Sequence, residues 1–326
     1  MNSILGMGNA LVDILVTLDD EALLKEFRLP RGTMQHVDSA VSAELWETVR
    51  SSRVRVVAGG SASNTLTGIA ALGLPAAFVG KTGTDELGRL FADDQALHGV
   101  TSHLLTSRAP TGRCMVFITP DTERTMATFL GAAIELSPED IQPSMFTGYT
   151  YFHIEGYLVQ DHALIRRAVE LAGEQNLTVS LDLSSYNVVE ANKQFLADII
   201  EKQVDIVFAN EAEAAAFTGC RPAEAVRELG KYCRIAVVKV GSGGSLVRSG
   251  DEEYHQPAYP ANAIDATGAG DLYAAGFLYA HACGQPLRQC GDLASLAAAK
   301  VVEVIGPRID METWGRIKSG ELRIRN

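Results

Sequence analysis

Short apolar runs alternate along the chain with segments of helical periodicity, and this pattern predicts strands and helices in turn. In the first hundred residues, strands are predicted over 3–7, 12–18, 33–38, 54–58 and 76–80. The helices between them are predicted over 39–50 and up to about residues 72 and 98. Further on, 111–118 and 124–130 form a predicted hairpin, because the turn over 119–123 contains the Pro-Asp pair typical of turns.

From residue 149 the alternation becomes regular. Strands are predicted over 149–154, 178–182, 205–208 and 235–240, with helices between them and helices over 272–282, 286–305 and 310–318. The charged segment 251–253 is predicted as an exposed turn. Such alternation of strand and helix predicts a mostly parallel sheet covered on both faces, with ligands at the carboxyl ends of the strands.

A loop of small residues precedes the apolar helix 272–282. The N–H groups of Gly268, Ala269 and Gly270 lie where this loop becomes a helix, so they can approach a ligand closely and lack helical partners. Together with the helix dipole, they favour a bound phosphoryl group. Asp271 in the first turn could then take the proton of an attacking hydroxyl. Taken alone, the loop could equally be an ordinary helix start in which Asp271 complements the dipole.

Two further loops carry polar residues beside predicted helices. Gly59 and Gly60 allow close approach to a polyol, and Asn64 offers both a donor and an acceptor, although a simple helix cap would also explain this segment. Asn210 and Glu213 follow strand 205–208 and share one side of a helical turn, where they could orient metal-bound waters. A capping box is the alternative for that pair.

Other candidates are single residues or short turns. Gly241 and Gly243 follow strand 235–240 and could contact a nucleotide through the backbone, or form only a tight turn. Lys239 is a weaker candidate for a phosphate contact. Asp13 lies among apolar neighbours, where a carboxylate needs partners, and could clamp two adjacent sugar hydroxyls or cap a turn.

Two nucleotide-binding patterns are incomplete. Gly6-x-Gly8 follows a strand, but Leu11 occupies the third position of the dinucleotide fingerprint and another strand follows. An NAD-dependent dehydrogenase is therefore a minor alternative, which bound nicotinamide would identify. The segment 80–82 resembles the end of a P-loop, but Pro75 stands where the first glycine is required.

Composition narrows the class of protein. The 326 residues carry a formal net charge of −12, which argues against a nucleic-acid backbone or an acidic membrane surface as the partner. There is no run of 18 apolar residues, and the five cysteines have no C-x-x-C spacing. We therefore expect a cytoplasmic protein with reduced thiols.

Three of these motifs resemble those of the PfkB family of sugar and nucleoside kinases. Segment 265–271 reads D-A-T-G-A-G-D, similar to the family signature D-T-x-G-A-G-D with Ala266 in place of the commoner threonine. Gly59, Gly60 and Asn64 match G-G-x-x-x-N, and 210–213 matches N-x-x-E. The resemblance implies one ribokinase-like domain over 1–326. Its fold would be a three-layer α/β/α sandwich with a mostly parallel central sheet and a small β-sheet lid, whose strands come from about 11–58 and 108–131.

The resemblance also implies a reaction. The γ-phosphoryl group of ATP would move to a primary hydroxyl, with Asp271 as the base and the N–H groups of Gly268, Ala269 and Gly270 stabilising charge. Mg²⁺ would be held through water by the N-x-x-E pair, and an activating K⁺ would bind at Asp265 and Thr267. Arg124, on the predicted hairpin, is a candidate phosphate clamp, with a solvated turn arginine as the alternative.

The acceptor is suggested by segment 6–13, which is similar to the G-x-G-N-P-L-x-D of adenosine kinases, with Ala10 in place of proline. Asn9 and Asp13, with the glycine pair and Asn64, would then hold the ribose. Candidates for an apolar purine slot are Met34, Phe129 and Tyr157. We favour phosphorylation of adenosine to AMP, over a ribokinase- or fructokinase-like sugar kinase and over a non-catalytic sugar- or nucleoside-binding regulator. Monomer and homodimer both remain open.

Overall fold

The structure is a computed structural model that describes residues 2–121 and 123–323. The predicted turn 119–123 includes Thr122, which lies outside the described residues. The strands are β1 Ile4–Met7, β2 Leu11–Thr17, β3 Met34–His36, β4 Val54–Ala58, β5 Ala76–Gly83, β6 Val100–Ser107, β7 Gly112–Ile118, β8 Arg124–Phe129, β9 Tyr151–Glu155, β10 Thr178–Asp182, β11 Ile206–Asn210, β12 Ile235–Lys239, β13 Ser245–Ser249 and β14 Glu252–Gln256.

The α-helices of the described residues follow the predicted alternation with strands. They are α1 Ala22–Glu26, α2 Ser39–Val49, α3 Ser61–Leu72, α4 Glu86–Leu97, α5 His162–Glu174, α6 Tyr186–Gln203, α7 Glu211–Thr218, α8 Pro222–Leu229, α9 Ala269–Ala282, α10 Leu287–Val301 and α11 Met311–Ser319. Among the described residues, no helix is both long and apolar enough to cross a membrane.

The larger sheet has the strand order β14-β13-β12-β11-β10-β9-β1-β5-β6. Its pairs are parallel except at one edge, where β13 runs antiparallel to both β12 and β14. Strands β1, β9, β10, β11 and β12 therefore all end at the same edge of the sheet. In a parallel sheet this is the edge where ligands bind.

Alternate residues of the central strands enter two separate cores. In β11, Ile206 and Phe208 pack into the core formed with α3, α9, α10 and α11, whereas Val207 and Ala209 pack with α5, α6, α7 and α8. Because both faces of the sheet are covered, its central strands are mostly apolar. The predicted three-layer sandwich with a mostly parallel sheet is confirmed.

The smaller sheet has the order β3-β8-β7-β2-β4. One face packs against α1 and α2 through Leu24, Leu45 and Val49. Strands β7 and β8 pair antiparallel, as the predicted hairpin requires. Because β2 follows β1 directly, this sheet lies beside the carboxyl edge of the larger one, which it can cover as a lid.

The sequence interpretation needs correction in several places, and strand β13 and the short helix α1 are among the elements that it did not predict. Strand β6 was not predicted, because it lies at the edge of the sheet and exposes Thr101 and Ser102, so it has no apolar run. The segment 251–253 is not a turn throughout, since Glu252 begins β14. Glu253 pairs with Arg227 and Arg248, and these ion pairs explain an acid in a strand.

Candidate active site

A cavity of about 1740 Å³ lies where the carboxyl ends of β1, β9, β10, β11 and β12 meet the smaller sheet. Each of these strands contributes a polar side chain at or just after its end. These residues, in chain order, are Asn9, Glu155, Asp182, Asn210 and Lys239. The volume exceeds the usual range for a single small ligand, about 300–1,000 Å³, so two substrates fit side by side.

Asp271 connects the two glycine-rich motifs. Its side chain accepts hydrogen bonds from the Ser61 hydroxyl at 2.7 Å and the Asn64 side-chain amide at 2.9 Å. It lies in the first turn of α9, and both donors lie in the first turn of α3. Burial raises the pKa of Asp271, and the two hydrogen bonds partly oppose that rise. A buried carboxylate lining the cavity can receive a proton there.

The start of α9 forms a candidate anion site. Gly268 caps the helix with a φ of 78°, and a Cβ there would come within 2.8 Å of Pro307, so glycine is required. Ala269 donates its N–H to the Ala266 carbonyl at 3.2 Å. The N–H groups of Gly270 and Asp271 belong to the first turn, which lacks helical acceptors. Gly268 does not itself line the cavity, whereas Ala269, Gly270 and Asp271 do.

The glycine pair brings α3 close to β1 and β2. At Gly60, φ is 87° and an added Cβ would lie 2.4 Å from the Asn9 carbonyl oxygen. At Gly59, it would lie 2.4 Å from the carboxyl carbon of Asp13. Gly59 is thus beneath the cavity, while Asn9, Asp13, Gly60 and Asn64 line it. Burial raises the pKa of Asp13 to about 7.

Glu155 is a residue of the site that the sequence motifs do not predict. Its carboxylate accepts hydrogen bonds from the backbone and side-chain amides of Asn9, at 2.9 and 2.6 Å, and from the Ala62 N–H at 3.1 Å. It therefore joins the end of β1 to the start of α3, and burial raises its pKa to about 7. The available signal was an acid directly after the apolar run of β9, at the ligand edge of a parallel sheet.

The predicted N-x-x-E pair forms a capping box at the start of α7. Glu213 accepts hydrogen bonds from the backbone and side chain of Asn210, which in turn accepts one from the Glu213 N–H. Both residues line the cavity. Burial, followed by the nearby charge of Asp182, raises the pKa of Glu213 to about 7. The capping and ligand-binding interpretations are therefore compatible.

Lys239 is the cation on this side of the cavity. Its ammonium pairs with Asp182 at 2.8 Å. It also lies close to the start of α9, 3.1 Å from where a Cβ added at Gly270 would be. Gly241 also lines the cavity, whereas Gly243 does not.

Three carboxylates, those of Asp182, Glu213 and Asp271, interact electrostatically with the one ammonium of Lys239. The carboxylate oxygens of these three residues have lone pairs that the contacts with Lys239 do not use. They could therefore accept hydrogen bonds from the water molecules around a divalent cation. In the described chain, no group of three His, Cys, Asp or Glu residues is close enough to hold a metal ion directly.

Arg124 lies on β8, but its guanidinium contacts the Asp265 carboxylate and the Thr267 hydroxyl. Neither Arg124 nor Asp265 lines the cavity, although Thr267 does. Asp265 also accepts hydrogen bonds from the N–H groups of Thr267 and Gly306, each at 2.6 Å. The two side chains predicted to bind K⁺ are therefore already occupied by a cationic side chain, and they do not fit a free monovalent cation.

The lid face contributes apolar residues to the same cavity. Met34 and Met126 are register partners and both line it, as does Tyr157 beside Glu155. Phe129 does not line the cavity, and the Arg113 guanidinium lies 6.0 Å from the centre of its ring. Alternating side chains explain this difference, since Met126 and Thr128 face the cavity and Phe129 has the opposite parity in β8.

Comparisons with known proteins agree with this architecture. The model of the pfkB family of carbohydrate kinases matches residues 34–314. A Rhizobium etli CFN 42 protein described as a "probable sugar kinase" has 34% identity and a TM-score of 0.90, over 98% of this chain and 99% of its own. Adenosine kinase from Sinorhizobium meliloti has 36% identity and a TM-score of 0.87, over 97% and 98%. Adenosine kinase of Schizophyllum commune is 27% identical over 96% of this chain and 97% of its own.

Proposed function

The chain belongs to the pfkB family of carbohydrate kinases, which are phosphotransferases with an alcohol group as acceptor, and we propose that its acceptor is adenosine. The products would be AMP and ADP. The phosphoryl donor in this family is ATP. The choice of acceptor is argued from the residues that line the cavity.

The observation that carries this proposal is the two-part character of the acceptor side of the cavity. A polar cluster contains Asn9, Asp13, Asn64 and Glu155, whose amides and carboxyls can bond the hydroxyls of a ribose. The cavity then continues along the lid and the segment that follows β8, where the apolar lining is Met34, Met126, Leu130, Ala133, Ile134 and Leu136. A free sugar has no apolar group for such a surface, whereas a purine gains free energy by leaving water there.

The register of the smaller sheet explains how the two parts are joined. His36, Thr128, Cys114 and Asp13 are successive partners across β3, β8, β7 and β2, so they form one row on the cavity face. Met34 and Met126 form the next row on the same face. A nucleoside with its ribose at Asp13 would thus extend its base along the lid.

The residues at the start of α9 would carry the chemistry. The primary hydroxyl oxygen of the acceptor forms a bond to the γ-phosphorus, the bond between that phosphorus and the bridging oxygen breaks, and ADP leaves. Asp271 receives the hydroxyl proton, while Ser61 and Asn64 orient its carboxylate. The N–H groups of Gly270 and Asp271, with Lys239, stabilise charge on the phosphoryl oxygens.

Mg²⁺, when bound, would neutralise charge on the ATP phosphates. Glu213 and Asn210 would hold it through water, with Asp182 close by. Asn210 and Glu213 also position each other through the capping box, so this part of the site is organised before the nucleotide arrives.

A sugar kinase is the second candidate. The observation that favours it is Glu155, because a fourth polar side chain beside Asn9, Asp13 and Asn64 adds hydrogen-bonding capacity for a polyol. The relative from Rhizobium etli is also described as a sugar kinase. A regulator without catalysis is disfavoured, since it has no need of Asp271 buried beside the anion site.

An acceptor panel tests the proposal. Adenosine, other nucleosides, ribose, fructose and fructose phosphates would be compared by ADP formation with Mg·ATP at a fixed salt composition that includes K⁺. We expect kcat/KM for adenosine to exceed that for every sugar by at least about 100-fold. Turnover of a sugar without turnover of any nucleoside would contradict the proposal.

A further inference from the structure

Asp265 begins the phosphoryl-binding loop, and its side chain is wholly buried. A buried carboxylate is stable only with compensating partners. Two of these are the N–H groups of Thr267 and Gly306, which tie the loop to the segment after α10. The two amide dipoles compensate part of the buried negative charge, and a cation beside the carboxylate would stabilise it further.

The cation that the structure places there is a side chain. Arg124 approaches from lid strand β8, with Nη2 paired to Asp265 and Nη1 donating to the Thr267 hydroxyl. Its side chain is only 15% exposed, so the pair is shielded from water. Within the described residues, Arg124 forms the ion pair with Asp265.

We propose that Arg124 is the built-in cation of this loop, so that the enzyme works without an activating monovalent cation. The guanidinium already contacts the carboxylate of Asp265 and the hydroxyl of Thr267, the two side chains predicted to hold such an ion, and a second positive charge beside it would be repelled. Because Arg124 belongs to the lid, its charge joins the loop only when β8 lies against it. The position of the lid and the conformation of the phosphoryl-binding loop are therefore coupled. The inference rests on the proposed role of this loop in phosphoryl transfer.

The first test uses the unmodified protein. Its kcat, with Mg·ATP and the best acceptor, and the melting temperature of the protein without substrates would each be measured in KCl and in tetramethylammonium chloride at equal ionic strength. Tetramethylammonium is too large for a monovalent-cation site. We expect kcat to differ less than about twofold and the melting temperature to stay constant. A saturable rise of tenfold or more in kcat with K⁺ would overturn the proposal.

The second test removes the arginine. Arg124→Ala should lower kcat by at least about tenfold, and millimolar K⁺ or guanidinium should restore part of the loss and raise the melting temperature of the ligand-free protein. Unchanged kcat, or a loss that neither cation alters, would overturn the role of Arg124. If this variant does not fold, the K⁺ dependence of kcat in Arg124→Lys is the test. A retained charge should keep kcat independent of K⁺, and activation of this variant by K⁺ would overturn the proposal.

Arg31→Ala is the matched control, since Arg31 is an exposed lid arginine that pairs with Glu21 and with Asp121 in the turn before β8, whereas the Asp265 carboxylate and the Thr267 hydroxyl are contacted by Arg124. It should leave both kcat and cation independence unchanged. The melting-temperature comparison in the two salts needs no acceptor. Its result therefore stands even if the acceptor is a sugar, which separates failure of this inference from failure of the adenosine assignment.

Discussion

Buried acids dominate the site at the scale of single residues. Burial raises the pKa of Asp13, Glu155 and Glu213 to about 7, and it also raises that of Asp271. Each of these carboxyls lines the cavity. These carboxyls therefore hold protons near neutral pH, and we expect substrate hydroxyls, phosphates and cations to change their protonation on binding.

The raised pKa values predict how the stability of the ligand-free protein depends on pH. These carboxyls bind more protons in the folded protein than in the unfolded chain between about pH 4 and 7, so they make the free energy of unfolding fall as pH rises through this range. His153, whose pKa burial lowers to about 4, acts in the opposite direction but is outnumbered by these acids. Denaturant melts at pH 5.5 and pH 8 should show lower stability at pH 8. Asp13→Asn with Glu155→Gln should flatten this dependence. A wild-type stability that rises between these pH values would contradict the assignment.

Gly60 is expected to tolerate no side chain, because its φ is positive and an added Cβ would meet the Asn9 carbonyl oxygen. Gly60→Ala should reduce the free energy of unfolding by about 1–3 kcal/mol and raise KM for the acceptor. Gly173→Ala is the control, since Gly173 lies in α5 with open space around it, and it should be neutral or stabilising by up to about 1 kcal/mol. Equal effects at both positions would refute this account.

At the scale of elements, three chain segments meet to form the site. The end of β1, the start of α3 and the start of α9 are joined by Glu155 and Asp271, which accept hydrogen bonds across the gaps between them. The lid face adds one row that contains Asp13 and one row of methionines. We expect a sugar to contact only the row that contains Asp13, whereas a nucleoside would also contact the row of methionines.

The methionine row should matter for a nucleoside and not for a sugar. Met126→Gln should raise KM for adenosine about 5- to 30-fold, which corresponds to about 1–2 kcal/mol of lost apolar contact, with kcat little changed. Gln35→Ala, on the other face of β3, is the control and should leave KM unaltered. An unchanged KM in Met126→Gln would argue that the base lies elsewhere.

Local periodicity predicted most elements because each strand and helix shows its own apolar pattern. Strand β6 escaped prediction because its existence depends on pairing with β5 and not on its own residues. In the site, motifs with fixed spacing located Asp271, Asn64 and Glu213. The contacts of Glu155 and of Arg124 join residues more than 90 positions apart, and no spacing rule predicts such pairs.

At the scale of the whole molecule, the two sheets are interleaved along the chain. Strand β2 pairs with both β4 and β7, while β5 and β6 of the larger sheet lie between β4 and β7 in sequence. Neither sheet can be completed without chain segments that pass through the other. We therefore propose that residues 1–326 form one folding unit.

The two tryptophans test this proposal, because Trp46 packs in the lid core and Trp314 in the core of the larger sheet. Variants Trp46→Phe and Trp314→Phe each leave one fluorescent probe. Urea unfolding should give the same midpoint and slope with both probes. A lid signal that changes at a clearly lower urea concentration would indicate a separately unfolding domain.

The central claim is that Asp271 removes the proton from the alcohol that attacks the phosphoryl group. The most direct measurement is single-turnover phosphorylation of adenosine by Asp271→Asn, alongside calorimetric binding of adenosine. Asparagine keeps the shape of the side chain and can still bond Ser61 and Asn64. We predict a fall in the rate of about 10²–10⁴-fold with the Kd for adenosine within a few fold of wild type. An unchanged rate would contradict the account.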